Sequence, residues 1–150
     1  MSLWRFTAFE ALDGRGGLLA SGRWHTRGRA VLYGAANPAT AVLEVLVHAG
    51  VRSPRALGRH YFLKLAWPDS LVRETVEPAS LPALWSEDLT FTRGVGDRWL
   101  REGRSAALLV PSVLVPETMN VLINPAHVGA GQVVLEAVYP FPLDPRLFGG

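Results

Sequence analysis

The apolar residues of this chain follow two different spacings, which separate the predicted strands from one clear helix. Short apolar segments bounded by Gly, Pro, Asn or Ser are typical of strands. They predict strands over residues 3–9, 30–33, 60–67, 71–76, 106–110 and 132–139. A loop rich in glycine and arginine spans 11–29, a helical turn is predicted over 82–85, and a short helix over 95–102.

The clearest element is a helix that follows Asn37. Asn37 fits the N-cap, Pro38 fits the first helical position, and Gly50 fits the C-terminal end. Apolar residues recur at i, i+3, i+4, i+7 and i+8, and these are Ala39, Val42, Leu43, Leu46 and Val47. The opposite side is nearly as apolar, which predicts that the helix is buried. Mixed strands around one central helix predict a compact α+β domain.

Length and composition favour a single domain over residues 1–150. Of the 150 residues, 49% are hydrophobic and 19% are charged, which is enough apolar material for a buried core. No apolar run approaches the roughly 18 residues of a membrane span, and the N-terminus does not resemble a signal peptide. The chain has no cysteine, which excludes disulfides, thiol catalysis and iron–sulfur clusters. The histidines lack metal-ligand spacing, so no metal is expected. A small cysteine-free chain without a targeting segment is expected to be soluble and cytoplasmic.

The net charge of +2 is too small to indicate a nucleic-acid partner by itself. Fourteen of the fifteen basic residues are arginine, and Lys64 is the only lysine. The planar guanidinium group suits phosphates and carboxylates, although a genome rich in G and C would produce the same bias. The positions of the arginines therefore matter more than their number.

Glu44 is the first residue that stands out as a candidate for chemistry. It is the only formally charged residue between Ala30 and Val51. A carboxylate on a largely buried helix is costly unless something pairs with it or uses it. Two interpretations remain open at this point: a functional site, or a structural ion pair or exposed edge of the helix.

The segment from Arg23 to Arg29 is the second candidate. It holds three arginines with Trp24 and His25, between Gly22 and Gly28. Glycine allows backbone N–H groups to approach an anion, and arginine binds phosphate through two donors. A solvated basic loop is the alternative, but an exposed Trp24 would favour stacking on a ligand. Nucleic acid would use the same combination of groups.

Ser112 is the third candidate, because it follows an apolar strand at a place where loop residues often line a cleft. No G-x-S-x-G motif surrounds it, so acyl transfer is poorly supported, and a turn residue is the alternative. Asn120 and the Asn124–Pro125 pair are likewise compatible with simple turns. The chain also lacks a complete dinucleotide-binding glycine fingerprint and a P-loop.

Several blocks of residues occur in an order that is known from one protein family, over about residues 3–140. The blocks are Gly22-Arg23-Trp24, Gly28, Val31-Leu32-Tyr33, residues 41–48, 96–100, 110–112, 117–120 and 123–127. Together they resemble the RES domain, the toxin half of bacterial RES–Xre toxin–antitoxin pairs. His25 departs from the pattern, since the family often has Asn there. The resemblance implies an α+β fold similar to ADP-ribosyltransferase toxins, with mixed, mainly antiparallel strands and few helices.

The resemblance also implies an activity on NAD as a substrate, with no separate cofactor. Family members cleave the nicotinamide–ribose bond and deplete NAD by hydrolysis or phosphorolysis, while some transfer ADP-ribose to a target protein. The implied partners are an Xre-type helix-turn-helix antitoxin that blocks the site and a second copy in a homodimer. Neither nucleic acid nor a membrane is implied as a direct partner. A small nucleic-acid-binding module that uses the arginine loop is the alternative from another class.

Carried over by position, the catalytic set is Arg23, Tyr33, Glu44 and Ser112. Glu44 would stabilise the positive charge that develops on the ribose carbon, and Arg23 would bind the pyrophosphate. Tyr33 would stack on the nicotinamide or the ribose, and Ser112 would donate a hydrogen bond to the substrate. Further substrate contacts are expected from Trp24, His25, Arg27 and Asn124.

Overall fold

The protein, a computed structural model that describes residues 1–149, is built on one seven-stranded sheet. Its strands are β1 (Ser2–Thr7), β2 (Leu32–Ala35), β3 (Tyr61–Ala66), β4 (Arg73–Thr75), β5 (Ala107–Pro111), β6 (Met119–Ile123) and β7 (Val134–Pro140). Its α-helices are α1 (Gly16–Leu19), α2 (Pro38–Ala49), α3 (Pro54–Leu57) and α4 (Leu89–Glu102). Short 3-10 turns occur at Pro78–Ser80, Val128–Gln132 and Pro145–Phe148.

The sheet has the strand order β4-β5-β6-β2-β1-β3-β7. Every neighbouring pair is antiparallel except β4 and β5, which are parallel and are joined through α4. Helices α2 and α3 connect β2 to β3, which lie on either side of β1. The predicted α+β fold with mixed, mainly antiparallel strands is therefore confirmed.

Both long helices lie on the same face of the sheet. Alternate residues of a strand point to opposite faces, and the register places Trp4, Ala35, Asn120 and Val110 in one row on this face. Helix α2 packs against the half of the face formed by β1 and β2, and α4 packs against the half formed by β5 and β6. The other face is covered by loop residues that pack on Leu3, Leu32 and their neighbours. The strip of sheet between α2 and α4 is consequently bordered by a helix on each side.

Helix α2 begins and ends where its caps predict. The Asn37 side chain accepts from the Thr40 amide at 2.8 Å, and Gly50 adopts the left-handed conformation that ends the helix. The expectation that this helix is buried all round is wrong. Leu43 is 41% exposed and Val47 is 60% exposed, because the helix covers a single sheet face and nothing in residues 1–149 covers its outer side.

Helix α4 is longer than the predicted helix over 95–102. It begins at Leu89, where the Asp88 side chain accepts from the Phe91 amide at 2.9 Å. Gly94 and Gly96 weaken the helical pattern of this segment. Gly96 is required by packing, since a Cβ atom there would lie 1.6 Å from the carbonyl oxygen of Trp24.

One central strand was not predicted. Residues Asn120 and Asn124 favour turns, yet β6 contains Asn120, ends just before Asn124 and pairs with both β2 and β5. Pairing on both edges of the strand overrides the local preference of Asn120. Within residues 1–149, no helix is long and apolar enough to cross a membrane.

Candidate active site

Glu44 is held by two neutral side chains on the strip of sheet between α2 and α4. Its Oε1 atom accepts a hydrogen bond from the Ser112 hydroxyl at 2.8 Å and another from the Asn120 amide nitrogen at 2.7 Å. No arginine, lysine or histidine of residues 1–149 lies within ion-pair distance of this carboxylate. The alternative of a structural ion pair is therefore wrong, and the negative charge of Glu44 is fixed in place without being neutralised.

Ser112 is buried against Glu44 and is saturated with hydrogen bonds. Besides donating to Glu44, its Oγ atom accepts from the backbone amides of Leu114 and Val115, both at 3.2 Å. A hydroxyl has one proton to donate, and Ser112 donates it in the hydrogen bond to Glu44. The structure thus uses Ser112 to orient the carboxylate, whereas the sequence predicts that its hydroxyl is free to donate to a substrate.

Asn120 belongs to the same cluster and was not among the predicted site residues. Its Nδ2 atom donates to Glu44, while its Oδ1 atom is buried and accepts from no donor in residues 1–149. The strand pattern contains the relevant signal, because Asn120 precedes the buried residues Val121, Leu122 and Ile123. A polar amide at a half-buried position of a central strand needs partners, whereas an exposed turn residue does not.

Tyr33 anchors the arginine loop to the sheet. Its hydroxyl lies 2.8 Å from Nδ1 of His25 and accepts from the Trp24 amide at 3.2 Å. Burial raises the pKa of Tyr33 well above its ordinary value, so the phenol remains protonated. Tyr33 opposes Leu122 two positions along the sheet from Asn120 and on the same face, which places its ring on the strip that holds Glu44's partners.

The His25 side chain is buried and holds the loop together through hydrogen bonds at both ring nitrogens. Its Nδ1 atom accepts from the Gly22 amide at 3.2 Å, so its proton lies on Nε2, which donates to the Ala20 carbonyl at 3.0 Å. Burial lowers the pKa of His25, which favours the neutral ring. Because both ring nitrogens are used inside the protein, the structure does not bring His25 to a substrate phosphate as the sequence predicts.

Trp24 is also buried, with only 1% of its surface exposed. Its ring packs against Trp85 at a centroid distance of 5.7 Å, and its carbonyl oxygen faces Gly96 of α4. The expectation of an exposed tryptophan that stacks on a ligand is wrong, because this side chain joins the loop to the core beneath α4. The aromatic platform required by the nucleic-acid interpretation is therefore missing from this loop.

Two arginines without a carboxylate partner lie at the Gly22–His25 segment: Arg23 is within it, and Arg93 of α4 contacts it. The Nη1 atom of Arg23 donates to the Ser86 carbonyl at 2.7 Å, and Thr92 of α4 donates to the Arg23 carbonyl at 2.8 Å. The Nε atom of Arg93 donates to the Gly22 carbonyl at 2.9 Å. Neither guanidinium group forms an ion pair within residues 1–149. Arg93 was not predicted, because α4 carries several arginines that periodicity alone does not distinguish.

The remaining predicted residues lie apart from the Glu44 cluster. The Arg27 side chain is exposed, and its backbone amide donates to the Ser21 hydroxyl. Arg29 forms an ion pair with Asp97 at 3.2 Å. Asn124 is buried and caps a local turn by accepting from the Ala126 amide at 3.1 Å. It follows the opposite end of β6 from Asn120, about 13 Å along the strand, so the structure does not bring Asn124 to the site.

The fold and the site together define a class of protein: a small α+β domain with an uncompensated carboxylate beside one sheet face and two arginines without a carboxylate partner at the loop that packs under α4. The family profile of the RES domain matches residues 2–144. The chain belongs to the RES domain family, and the resemblance inferred from its sequence blocks is confirmed.

Relatives with the same domain match this chain over nearly its whole length. Toxin Res of Pseudomonas putida is 42% identical and is aligned over 99% of this chain and 100% of the relative. The Prs ADP-ribosylating toxin of Sphingobium sp. is 35% identical, with 97% of this chain and 96% of the relative aligned. A chain of the M. tuberculosis MbcT–MbcA toxin–antitoxin complex has the same fold. It superposes with a TM-score of 0.76 at 18% identity, covering 99% of this chain and 86% of that one.

Proposed function

We propose that this protein is the toxin of a toxin–antitoxin pair and that it cleaves the nicotinamide–ribose bond of NAD. The observation that carries the proposal is the Glu44 carboxylate, which two neutral donors hold and no cation neutralises. The names of its relatives support the toxin function. The accompanying expectations of a cytoplasmic location, an Xre-type antitoxin and a homodimer belong to the same proposal.

Glu44 supplies the negative charge that the reaction needs. Departure of neutral nicotinamide leaves positive charge on the ribose carbon, and a fixed carboxylate stabilises that charge more in the transition state than in the substrate. Ser112 and Asn120 both donate to Oε1. Oε2 accepts from no donor in residues 1–149, so it is available to the ribose. Because both donors are neutral, they orient the carboxylate without placing a positive charge against it.

Arg23 and Arg93 bind the pyrophosphate. Each guanidinium group has five N–H donors, and the contacts within the protein use one nitrogen of each. The remaining donors match phosphate oxygens, and neither charge is cancelled by a nearby carboxylate. Tyr33 contributes its ring to the neighbouring strip of sheet, while its hydroxyl keeps the arginine loop in place.

A protein acceptor is the second candidate for this site. One relative is named an ADP-ribosylating toxin, and water, phosphate and a protein nucleophile would all attack the same ribose carbon. The chemistry at Glu44 is common to the three cases. The nucleic-acid module is disfavoured, because Trp24 is buried and the net charge is only +2.

The test is the release of nicotinamide from NAD by the purified protein, with and without phosphate, and with a lysate that supplies protein acceptors. Release by the wild type that is lost in Glu44→Gln is the expected result, while the exposed Glu10→Gln serves as a matched control. Free ADP-ribose, its phosphorylated form or a modified protein identifies the acceptor. Absence of release under all these conditions would overturn the proposal.

A further inference from the structure

Arg93 and Asp97 are one turn apart on α4 and do not form an ion pair. Residues four apart on a helix are neighbours on its surface, and opposite charges at this spacing attract each other. Both side chains contact the arginine loop, Arg93 at the Gly22 carbonyl and Asp97 at the Thr26 amide. Asp97 nevertheless lies outside ion-pair distance of Arg93. A physical cause must hold the two charges apart.

The loop itself holds the Asp97 carboxylate. Oδ1 of Asp97 accepts from the Thr26 amide at 2.8 Å and lies 3.2 Å from Nε of Arg29. The Asp97 side chain is only 17% exposed, against 39% for Arg29, so the loop covers much of the carboxylate. Two donors from one loop therefore fix Asp97 in a position from which it does not reach Arg93.

Arg29 also offsets the negative charge of Asp97. Without this partner, the charge of Asp97 would act on Arg93 one turn away. Both charges lie close to the buried ring of His25. Burial is the main cause of the lowered pKa of His25, while Asp97 raises that pKa and Arg93 lowers it. The balance of charge at the loop consequently depends on Arg29.

Arg93 keeps donors for an anion as long as Asp97 stays with the loop. Its Nε atom donates to the Gly22 carbonyl at 2.9 Å, and its two Nη atoms have no carboxylate partner within residues 1–149. A carboxylate binds a guanidinium group through the same planar fork of donors as a phosphate. A released Asp97 would therefore compete directly with phosphate for Arg93.

We infer that Arg29 is a positioning residue, which binds Asp97 and thereby keeps Arg93 free for the pyrophosphate. This inference rests on the proposed binding of NAD and adds a residue that does not touch the substrate. Two simpler roles make a different prediction, namely Arg29 as a further phosphate ligand and Arg29 as a brace of the loop. Under either role, removing the charge of Asp97 does not replace what Arg29 supplied.

The test compares the dissociation constants of NAD among variants built on Glu44→Gln, so that the ligand is not consumed during the titration. The variants are Arg29→Ala, Asp97→Asn and the two combined. Asparagine at position 97 still accepts from the Thr26 amide, so the loop retains that bond. Arg29→Ala combined with the exposed Glu10→Gln has the same net charge as the rescued variant and is the matched control. Calorimetric titration at low ionic strength measures the differences, because salt screens them.

We expect Arg29→Ala to raise the dissociation constant about three- to fivefold, since an exposed ion pair on a helix is weak. Adding Asp97→Asn restores the affinity of the parent protein, because no carboxylate then competes for Arg93. Adding Glu10→Gln does not restore it. Denaturant unfolding checks that each variant is folded, and Arg29→Gln, which keeps a long side chain, replaces Arg29→Ala if that variant does not fold.

The Arg93→Ala protein provides an independent readout. In that background Arg29→Ala should leave the dissociation constant unchanged, because the residue through which Arg29 acts is absent. A phosphate ligand or a brace of the loop would lower the affinity in both backgrounds.

Three results would each overturn the inference: parent affinity in Arg29→Ala, no rescue by Asp97→Asn, or an equal loss when Arg93 is already alanine. Each of these leaves the cleavage of NAD intact. Failure of the wild type to release nicotinamide from NAD would instead refute the proposed function. The two failures are therefore distinguishable.

Discussion

Ser112 and Asn120 donate hydrogen bonds to the same oxygen of Glu44, at 2.8 and 2.7 Å. They are separated from Glu44 by 68 and 76 positions in the chain, so the carboxylate is oriented by the sheet and not by its own helix. Because both bonds go to Oε1, Oε2 has no donor in residues 1–149. Helix α2, the end of β5 and strand β6 together fix the orientation of the Glu44 carboxylate, although it lies on a helix surface.

Ser112→Ala tests the orienting role of the hydroxyl. The substitution removes one donor to Glu44 and leaves the amides of Leu114 and Val115 without their acceptor, so we expect a loss of about 1–3 kcal/mol in the free energy of unfolding. Misorientation of Glu44 should lower kcat roughly tenfold to a hundredfold with little change in KM. Denaturant titration and steady-state kinetics measure the two effects, and Ser80→Ala is the exposed control. An unchanged kcat would refute the orienting role.

Arg23→Ala and Arg93→Ala test the proposed anion site. Each substitution removes a positive charge that no carboxylate of residues 1–149 offsets, and we expect the dissociation constant for NAD to increase about 10- to 100-fold in either variant. Arg23→Lys should recover only part of the affinity, because an ammonium group cannot bind phosphate through a planar fork. Calorimetric titration measures the change in the dissociation constant. Arg98→Ala, at an exposed position of α4, the helix that carries Arg93, is the control. Wild-type affinity in Arg23→Ala would exclude this residue from the pyrophosphate site.

His25 should make stability depend on pH. Burial lowers the pKa of His25 in the folded protein, so the unfolded chain binds a proton more readily than the folded one. Its contribution is fully present above the ordinary pKa of about 6.5. The free energy of unfolding then falls as the pH drops through that value towards the lowered pKa.

Unfolding measured at pH 7.5 and pH 5.5 should show this loss in the wild type and a smaller loss in His25→Asn. His48→Asn, at an exposed position of α2, is expected to retain the wild-type dependence on pH. The same slope in His25→Asn as in the wild type would assign the dependence on pH to other groups.

The parts of the fold that could be predicted are those with local chemical signals. Asn37 and Gly50 define the ends of α2 through their own side chain and backbone conformation. The strand β6 lacks such signals, because pairing on both edges is a tertiary effect. Helix α4 has a capping residue in Asp88, but Gly94 and Gly96 weaken its helical pattern, and the close contact between Gly96 and Trp24 is again tertiary.

The site shows the same division. Glu44 was identified because it is the one charged residue in an apolar stretch, which is a property of the sequence. Asn120, Arg93 and the burial of Trp24 depend on which residues meet across the sheet and beneath α4. Composition and spacing do not contain that information.

Gly96→Ala tests whether α4 holds the arginine loop in place. A Cβ atom at this position would lie 1.6 Å from the Trp24 carbonyl oxygen and 2.7 Å from its carbonyl carbon, so the helix and the loop have to separate. We expect a loss of at least about 3 kcal/mol in the free energy of unfolding, together with weaker binding of NAD, because Arg23 is the neighbour of Trp24. Gly94→Ala is the matched control on the same helix, since a Cβ atom there meets nothing within 4 Å.

The control should stabilise the helix by about 0.5–1 kcal/mol, because alanine favours a helix interior over glycine. Thermal and denaturant unfolding should therefore show changes of opposite sign in the free energy of unfolding of the two variants, although the substitutions are chemically the same and lie two residues apart. Equal effects would mean that the contact between α4 and the Trp24 carbonyl does not restrain the loop. A destabilised Gly96→Ala with wild-type affinity for NAD would separate the packing of Trp24 from the position of Arg23.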